Sequence, residues 1–320
     1  MILKSRSKGT YGKPLCFLVI LALLVTLPYW CGEYIVSIMM LILLYMAMGQ
    51  MWNLMAGYAG LLSLGMQAFI GIGGYSLAVF STTYGINVFV SILLGGIFSL
   101  IFAFFISPAL FKMSGVYFAI GSWVVAESLL LWFSNWEFVR YAQGINITSA
   151  YQFDTVDLYY IALVVGVAAA LVVYLLLRSK SGLALMAMRD NSSAAETLGI
   201  ELYQTKLRCY LISSFMMGII GGAMYLYQAY ILPSAAFSIS WTVAVTFMVI
   251  IGGIGTMEGP IIGAVLYVLF NQYLYQFPGI SMMILGVTAI LIILVAPNGI
   301  MGTLQSKTGL EILSARRNAG

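Results

Sequence analysis

The 320-residue sequence contains no histidine, and only three cysteines. Without histidine there are no Ser-His-Asp or Cys-His nucleophile pairs, no HExxH zinc sites and no histidine proton relays. Cys16, Cys31 and Cys209 are too few and too scattered for a disulfide framework or a CxxC metal site. Charge is scarce as well: 8% of residues, against roughly 25% in an average soluble protein. A folded sphere of this size cannot clothe its surface with 14 basic and 10 acidic side chains, and 62% of the residues are hydrophobic. Lipid must therefore be the solvent around most of the chain. A soluble globular enzyme, a disordered chain and a secreted disulfide scaffold are excluded. The net charge of +4 is too small and too dispersed for nucleic-acid binding, and in a membrane protein it reports orientation. A phosphate-binding GxxxxGK[ST] loop is also missing, because the Gly12-Lys13 pair is followed by Pro14.

What is present is a series of apolar runs. Crossing about 30 Å of hydrocarbon takes about 20 helical residues. The first run, Leu15–Trp30, follows a basic start but ends in Leu27-Pro28-Tyr29-Trp30-Cys31, bulky where a signal peptidase requires small residues. It is read as a retained transmembrane helix. Nine further segments follow: Tyr34–Ala56, Gly60–Phe80, Val88–Leu110, Val116–Phe133, Leu158–Leu177, Leu207–Tyr230, Trp241–Gly255, Pro260–Tyr275 and Ile280–Ala296. The expectation is an all-α integral membrane protein with about ten transmembrane helices, residues 1–320 forming a single transmembrane domain.

The basic residues test this count. Ten crossings from an inside N-terminus place Lys4, Arg6, Lys8, Lys13, Lys112, Arg178, Lys180, Arg189, Lys206, Arg208, Lys307, Arg316 and Arg317 on one side, and Arg140 alone on the other. That split obeys the positive-inside rule and predicts cytoplasmic termini. The outside loop around Ser134–Asp157 carries Trp136, Tyr141, Tyr151, Tyr159 and Tyr160. These form an interfacial aromatic belt, or else a docking surface for an extracytoplasmic partner.

The one large cytoplasmic loop, residues 178–206, reads as two short helices. Ser181 is placed to cap the first, Asp190 or Asn191 breaks it, and Ser193-Ala194-Ala195-Glu196 has the capping-box spacing for the second. Gly199 is a natural stop. A capped helical hairpin at the membrane surface suits docking in another protein's groove, or lies in the lipid headgroups as a plain connector.

The pattern Gly182-x-Ala184-x-x-Ala187-x-Arg189-Asp190-Asn191-x-x-Ala194-Ala195-x-x-Leu198-Gly199-Ile200 resembles the coupling loop of branched-chain amino acid ABC transporter permeases, of the LivM-like kind. Four more stretches are similar to that family in the same order. They are Gly60–Tyr75, Gly115–Ile120 with Glu127, Gly252–Pro260 and Ala296–Gly302. The sequence departs from the family at Ser192, where an acid is frequent, and at Met66-Gln67, where His-Ala or Gln-Ala is. The resemblance implies an inner-membrane permease subunit that is not itself an enzyme. It would import branched-chain amino acids by alternating access, with urea, short amides or other small organic solutes as the alternative. It also implies two ATP-binding cassette subunits carrying ATP and Mg, a second homologous permease as heterodimer partner, and an extracytoplasmic substrate-binding protein. No cofactor is expected on this chain. Ala187, Arg189, Asp190, Asn191, Ala194, Ala195 and Gly199 would form the ATPase-coupling surface.

Glycine clusters at residues 60–74 and 252–263 occupy early and late thirds of the chain. Such clusters mark discontinuous helices around a central path, in an inverted-repeat-like arrangement, or close helix packing of the kind Gly218-x-x-x-Gly222 and Gly255-x-x-x-Gly259 provide. Ser63, Gly65, Gln67, Gly71, Gly73, Glu127, Gly253 and Gly255 are the candidate path or pivot residues. A bare carboxylate at the depth of Glu127 costs at least about 2.5 kcal/mol. It either lines the path or bonds another helix. A secondary transporter using Glu127 as a proton-coupled carboxylate is the competing class, and it leaves the long capped loop unexplained. Asn53, Gln67 and Asn271 are polar groups at membrane depth with hydrogen bonding to a neighbouring helix as their expected role. Glu258 is expected at a helix break near a membrane surface.

Overall fold

The computed structural model describes residues 12–274 and 299–308, with isolated positions between. Its framework is helical: α1 (Gly12–Thr26), α2 (Glu33–Asn53), α3 (Gln67–Leu77), α4 (Val88–Leu110), α5 (Val116–Ser134), α6 (Thr155–Arg178), α7 (Lys180–Asp190), α8 (Ser192–Thr197), α9 (Leu202–Gln228), α10 (Pro233–Ala236), α11 (Ile239–Gly252), α12 (Gly259–Leu274) and α13 (Gly299–Thr308). Wider π-turns extend α2 over Leu54–Tyr58 and α3 over Ala78–Thr83. Two short strands, β1 (Ile145–Asn146) and β2 (Tyr230–Ile231), pair antiparallel.

Six helices among the described residues are long and apolar enough to cross a membrane: Glu33–Tyr58, Val88–Leu110, Val116–Ser134, Thr155–Arg178, Leu202–Gln228 and Pro233–Gly252. Helices dominate because backbone amides in hydrocarbon must find partners within the protein, and a helix supplies them within its own segment. The expected crossing Ile280–Ala296 and the charged terminal residues Lys4, Arg6, Lys8, Arg316 and Arg317 lie outside the described residues.

The segment expected as a helix from Gly60 is not helical at its start. Residues 60–66 run without regular helix and α3 begins only at Gln67. Gly60 adopts φ +70°, which turns the chain out of α2. Depth is fixed by neighbours: Ser99 Oγ, at the centre of α4, donates to the Phe69 carbonyl at 3.3 Å. The first turn of α3 therefore lies midway along the bundle. The same happens at α11, whose Thr242 meets Gln67 after the chain descends from β2 through α10.

The bundle has two distinct ends. At one, β1 and β2 pair, Ile147 N–H donates to the Ala229 carbonyl, and Ser149 Oγ donates to Ser81 Oγ at 2.8 Å. At the other lie α7, α8 and the last turn of α2. There Phe111 at the end of α4 meets Tyr203 edge-on at the start of α9. Tyr159 is not part of an exposed belt: it is buried, and its hydroxyl donates to the Leu24 carbonyl at 2.6 Å, tying α6 to α1. Tyr160 does the same to Val25 at 3.0 Å. The bulky end of α1 gives both rings an apolar seat with one free carbonyl each.

Candidate functional site: an arginine latch and a mid-depth seam

The α7–α8 hairpin forms as the loop sequence implied, with different caps. Ser179 rather than Ser181 caps α7, its Oγ accepting from Gly182 N–H at 3.4 Å. The extended backbone needed at a cap falls at residue 179, where α6 ends. Asn191 both ends α7 and caps α8, Oδ1 accepting from Ala194 N–H at 3.0 Å, so Ser193 lies inside α8 and has no capping role. Gly199 terminates α8 at φ +82°. Leu185, Met188 and Ala195 are buried against the bundle, while Asp190, Asn191, Ala194, Glu196 and Leu198 face outward. Ala187 is half-buried between the two sets.

Arg189 departs from the outward group. One guanidinium nitrogen donates to the Gly57 carbonyl at 2.7 Å, and two others pair with Asp190 Oδ1 at 2.8 and 2.9 Å. A Cβ on Gly60 would come within 3.3 Å of the Arg189 stem, and one on Gly255 within 3.2 Å of its guanidinium. Glycines at 57, 60 and 255 thus make the cradle in which this side chain lies. Planar guanidinium and bare backbone suit each other, because the fork reaches a carbonyl that no side chain shields.

The same cradle is held from above by α2. Asn53 Nδ2 donates to the Thr256 carbonyl at 2.7 Å, its Oδ1 accepts from Gly255 N–H at 2.8 Å, and Gln50 Nε2 donates to the Met257 carbonyl at 2.7 Å. The break at residues 253–258, with Gly253 at φ +125° and Gly255 at φ +75°, leaves backbone groups that a regular helix would satisfy itself. Asn53 and Gln50 supply those bonds. Glu258, at the end of this break, accepts from Gln305 Nε2 of α13 at 3.4 Å. Asn53→Leu should leave one buried N–H and one carbonyl unpaired, at about 1–3 kcal/mol each. The expected result is a thermal midpoint several degrees lower in detergent, with Asn53→Asp intermediate because it still accepts from Gly255.

At mid-depth, Gln67, Gly71 and Tyr75 share one face of α3. Thr242 Oγ1 donates to Gln67 Oε1 in a short hydrogen bond, and both residues are fully buried. Gln67 Nε2, Tyr75 Oη and Thr246 Oγ1 are buried without hydrogen-bond partners among the described residues. Phe237 stacks on Tyr75 at 6.0 Å between ring centroids and fills the space that a side chain on Gly71 would take. Phe133 of α5 meets the same two rings at 4.6 and 5.0 Å. The seam therefore joins apolar rings to polar groups with spare hydrogen-bonding capacity. Ser63 and Gly65 lie just before it: the Ser63 carbonyl accepts from Trp52 Nε1 at 3.0 Å, and Leu64 N–H donates to Ser122 Oγ of α5 at 3.0 Å.

Gly73 belongs to packing instead. Gly73, Gly95 and Gly218 bring α3, α4 and α9 into backbone contact, and a Cβ on Gly73 or Gly218 would collide with a neighbouring carbonyl oxygen. Gly252 and Gly259 do the same for α11 and α12. Both readings of the glycine clusters therefore apply, at different positions. Glu127 joins neither group. It lies on the exposed side of α5 and makes no hydrogen bond or ion pair among the described residues, so of its two candidate roles a bond to another helix is not formed within them. Gln50 and Thr242 escaped the sequence reading. The spacing of Gln50 and Asn53, three apart near the end of an apolar run, was the available signal for the first. Nothing in the sequence pairs Thr242 with a residue 175 positions away.

Residues 34–296 match the family described as the permease component of branched-chain amino acid transport systems. The chain is 26% identical, over 94% of its length and 77% of theirs, to the high-affinity branched-chain amino acid transport permease proteins LivM of Salmonella typhimurium and Escherichia coli. A probable permease LivH of Methanocaldococcus jannaschii is 32% identical over 40% of this chain and 43% of its own. No solved structure matches.

Proposed function

Because the chain belongs to the branched-chain amino acid transport permease family, we propose that it is the membrane-spanning subunit of an ATP-driven importer that moves branched-chain amino acids into the cytoplasm. Two ATP-binding cassette subunits, a second permease and an extracytoplasmic binding protein complete the assembly, and ATP and Mg belong to the cassette subunits. The α7–α8 end faces the cytoplasm on this reading, since Lys112, Arg178, Lys180, Arg189, Lys206 and Arg208 gather there and, among the described basic residues, Arg140 alone lies at the strand end. Ten crossings complete the topology. The chain order also supports an inverted repeat. In each half a long helix (α2 or α9) is followed by an irregular descent and then by a helix starting at mid-depth (α3 or α11), with opposite direction in the membrane.

The single observation that carries the transport reading is the meeting of α3 and α11 at Gln67 and Thr242. Two interrupted helices that start opposite each other at the membrane centre form the kind of seam that opens alternately to either side. Its chemistry fits the cargo: rings of Tyr75, Phe133 and Phe237 for a branched side chain, and Gln67, Thr242 and Thr246 for the amino and carboxyl groups. The deciding experiment reconstitutes the complete transporter in liposomes and measures uptake of labelled leucine with and without ATP, challenged by isoleucine, valine and urea. ATP-dependent uptake competed by the first two is the expected outcome. Uptake that follows a proton gradient without ATP would overturn the reading. In the same assay Gln67→Leu should reduce leucine uptake by about tenfold or more, because the polar side of the seam loses its central group.

A further inference from the structure

α5 has the smallest buried share of the six spanning helices, and its outer face carries an ionisable group at the wrong place for lipid. Glu127 is the twelfth of the nineteen residues of α5, close to its middle. It stands five residues beyond Ser122, whose hydroxyl fixes the Leu64 end of the mid-depth seam. Its neighbours on the exposed side are Ile120, Val124 and Leu131, with Ser128 beside it. Acyl chains offer a carboxyl group no hydrogen bond, so such a residue faces protein or water. The described residues of this chain do not cover it. Every described basic side chain lies near an end of the bundle, and Ile280–Ala296 contains no charged residue. Ser128 has no proton to spare for a carboxylate, since its hydroxyl donates to the Val124 carbonyl at 2.8 Å.

We propose that the outer face of α5 is the contact surface for a second permease subunit of this family, with Glu127 at its centre bonded to a polar group of that subunit. The proposal rests on the reading of the chain as one of two permeases in an importer. The choice of occupant follows from the membrane depth of Glu127: only a membrane-spanning partner reaches it. The likeness to both LivM and LivH permeases of one organism, Methanocaldococcus jannaschii, indicates what such a partner is. On the inner side of the same helix, Ser122 touches the descent into the seam, so α5 stands between the subunit contact and the path.

The test places a photoreactive phenylalanine at Val124 or Leu131 in the assembled transporter, and at Leu175 on the exposed face of α6 as control. After irradiation in the membrane, adducts are identified by peptide mass analysis. The expected adducts at 124 and 131 are peptides of a permease chain, either a second copy or a homologous subunit, with lipid adducts at 175. Lipid adducts alone at 124 and 131, or peptides from any other class of protein, would overturn the proposal. Glu127→Leu makes the face more apolar and should leave the chain folded while lowering recovery of the second permease by about tenfold, with Glu127→Gln near wild type. Equal recovery with Glu127→Leu would remove Glu127 from the contact. None of these readouts depends on uptake, so they stand apart from the outcome of the leucine assay.

Discussion

Replacing Arg189 with alanine is expected to lower ATP-driven leucine uptake by one to two orders of magnitude while the chain remains folded in the membrane. The side chain holds the α7–α8 hairpin to the Gly57 carbonyl and lies against Gly60 and Gly255. A hydrogen bond to a charged group contributes about 1.5–3 kcal/mol, which corresponds to roughly 10–100-fold in the population of the linked arrangement. Without it, movement of the hairpin no longer pulls on the end of α2 and the 253–258 break together. ATP hydrolysis by the assembled transporter should continue, so the ratio of leucine moved to ATP consumed is the quantity to measure. Asp190→Ala should cost far less, because Asp190 is exposed and bonds only Arg189 among the described residues. Wild-type stoichiometry in Arg189→Ala would refute the latch.

Gly73→Val should be strongly destabilising to the bundle. The residue sits where α3 touches the backbone of α9, and Gly95 of α4 closes on it from the other side. A branched side chain there meets carbonyl oxygens and not movable side-chain tips, so the three helices must part. Overpacking of this kind costs typically 1–3 kcal/mol and more where backbone must move. The expected result is little or no monodisperse protein after detergent extraction, and a sharply lowered thermal midpoint for what survives. Gly32→Ala serves as the contrast: nothing lies within 4 Å of its Cβ and its φ of −69° suits any residue. A Gly73→Val protein as stable as Gly32→Ala would show that the crossing tolerates separation.

The spans were legible because hydrocarbon imposes one rule on a long stretch of chain. Val88–Leu110 is found as a helix at the boundaries its apolar run marked, and α5 differs from its run by one residue. The hairpin at 180–197 was legible for a related reason, since Asn191 and Gly199 act through backbone geometry that belongs to their own chemistry. The late start of α3 was not. Residues 60–66 are as apolar as a helix interior, and what keeps them irregular lies elsewhere in the chain. Trp52 bonds the Ser63 carbonyl, and Ser122 takes the Leu64 amide.

Arg189 shows the same division at one residue. Its place in the loop motif suggested a surface for a partner, yet the side chain turns back onto Gly57 and Gly60 of its own bundle. Composition by itself determined that this is a helical membrane protein without metal or nucleophile chemistry of the histidine kind, and the motif order by itself determined its family. Only the tertiary structure decided which glycines cradle an arginine, which let helices touch, and which face of α5 is left carrying Glu127. Burial in lipid is a property of each segment alone and can be summed along the sequence. A glycine's or a carboxylate's role depends on what stands opposite it, and that is set by helices far apart in the chain.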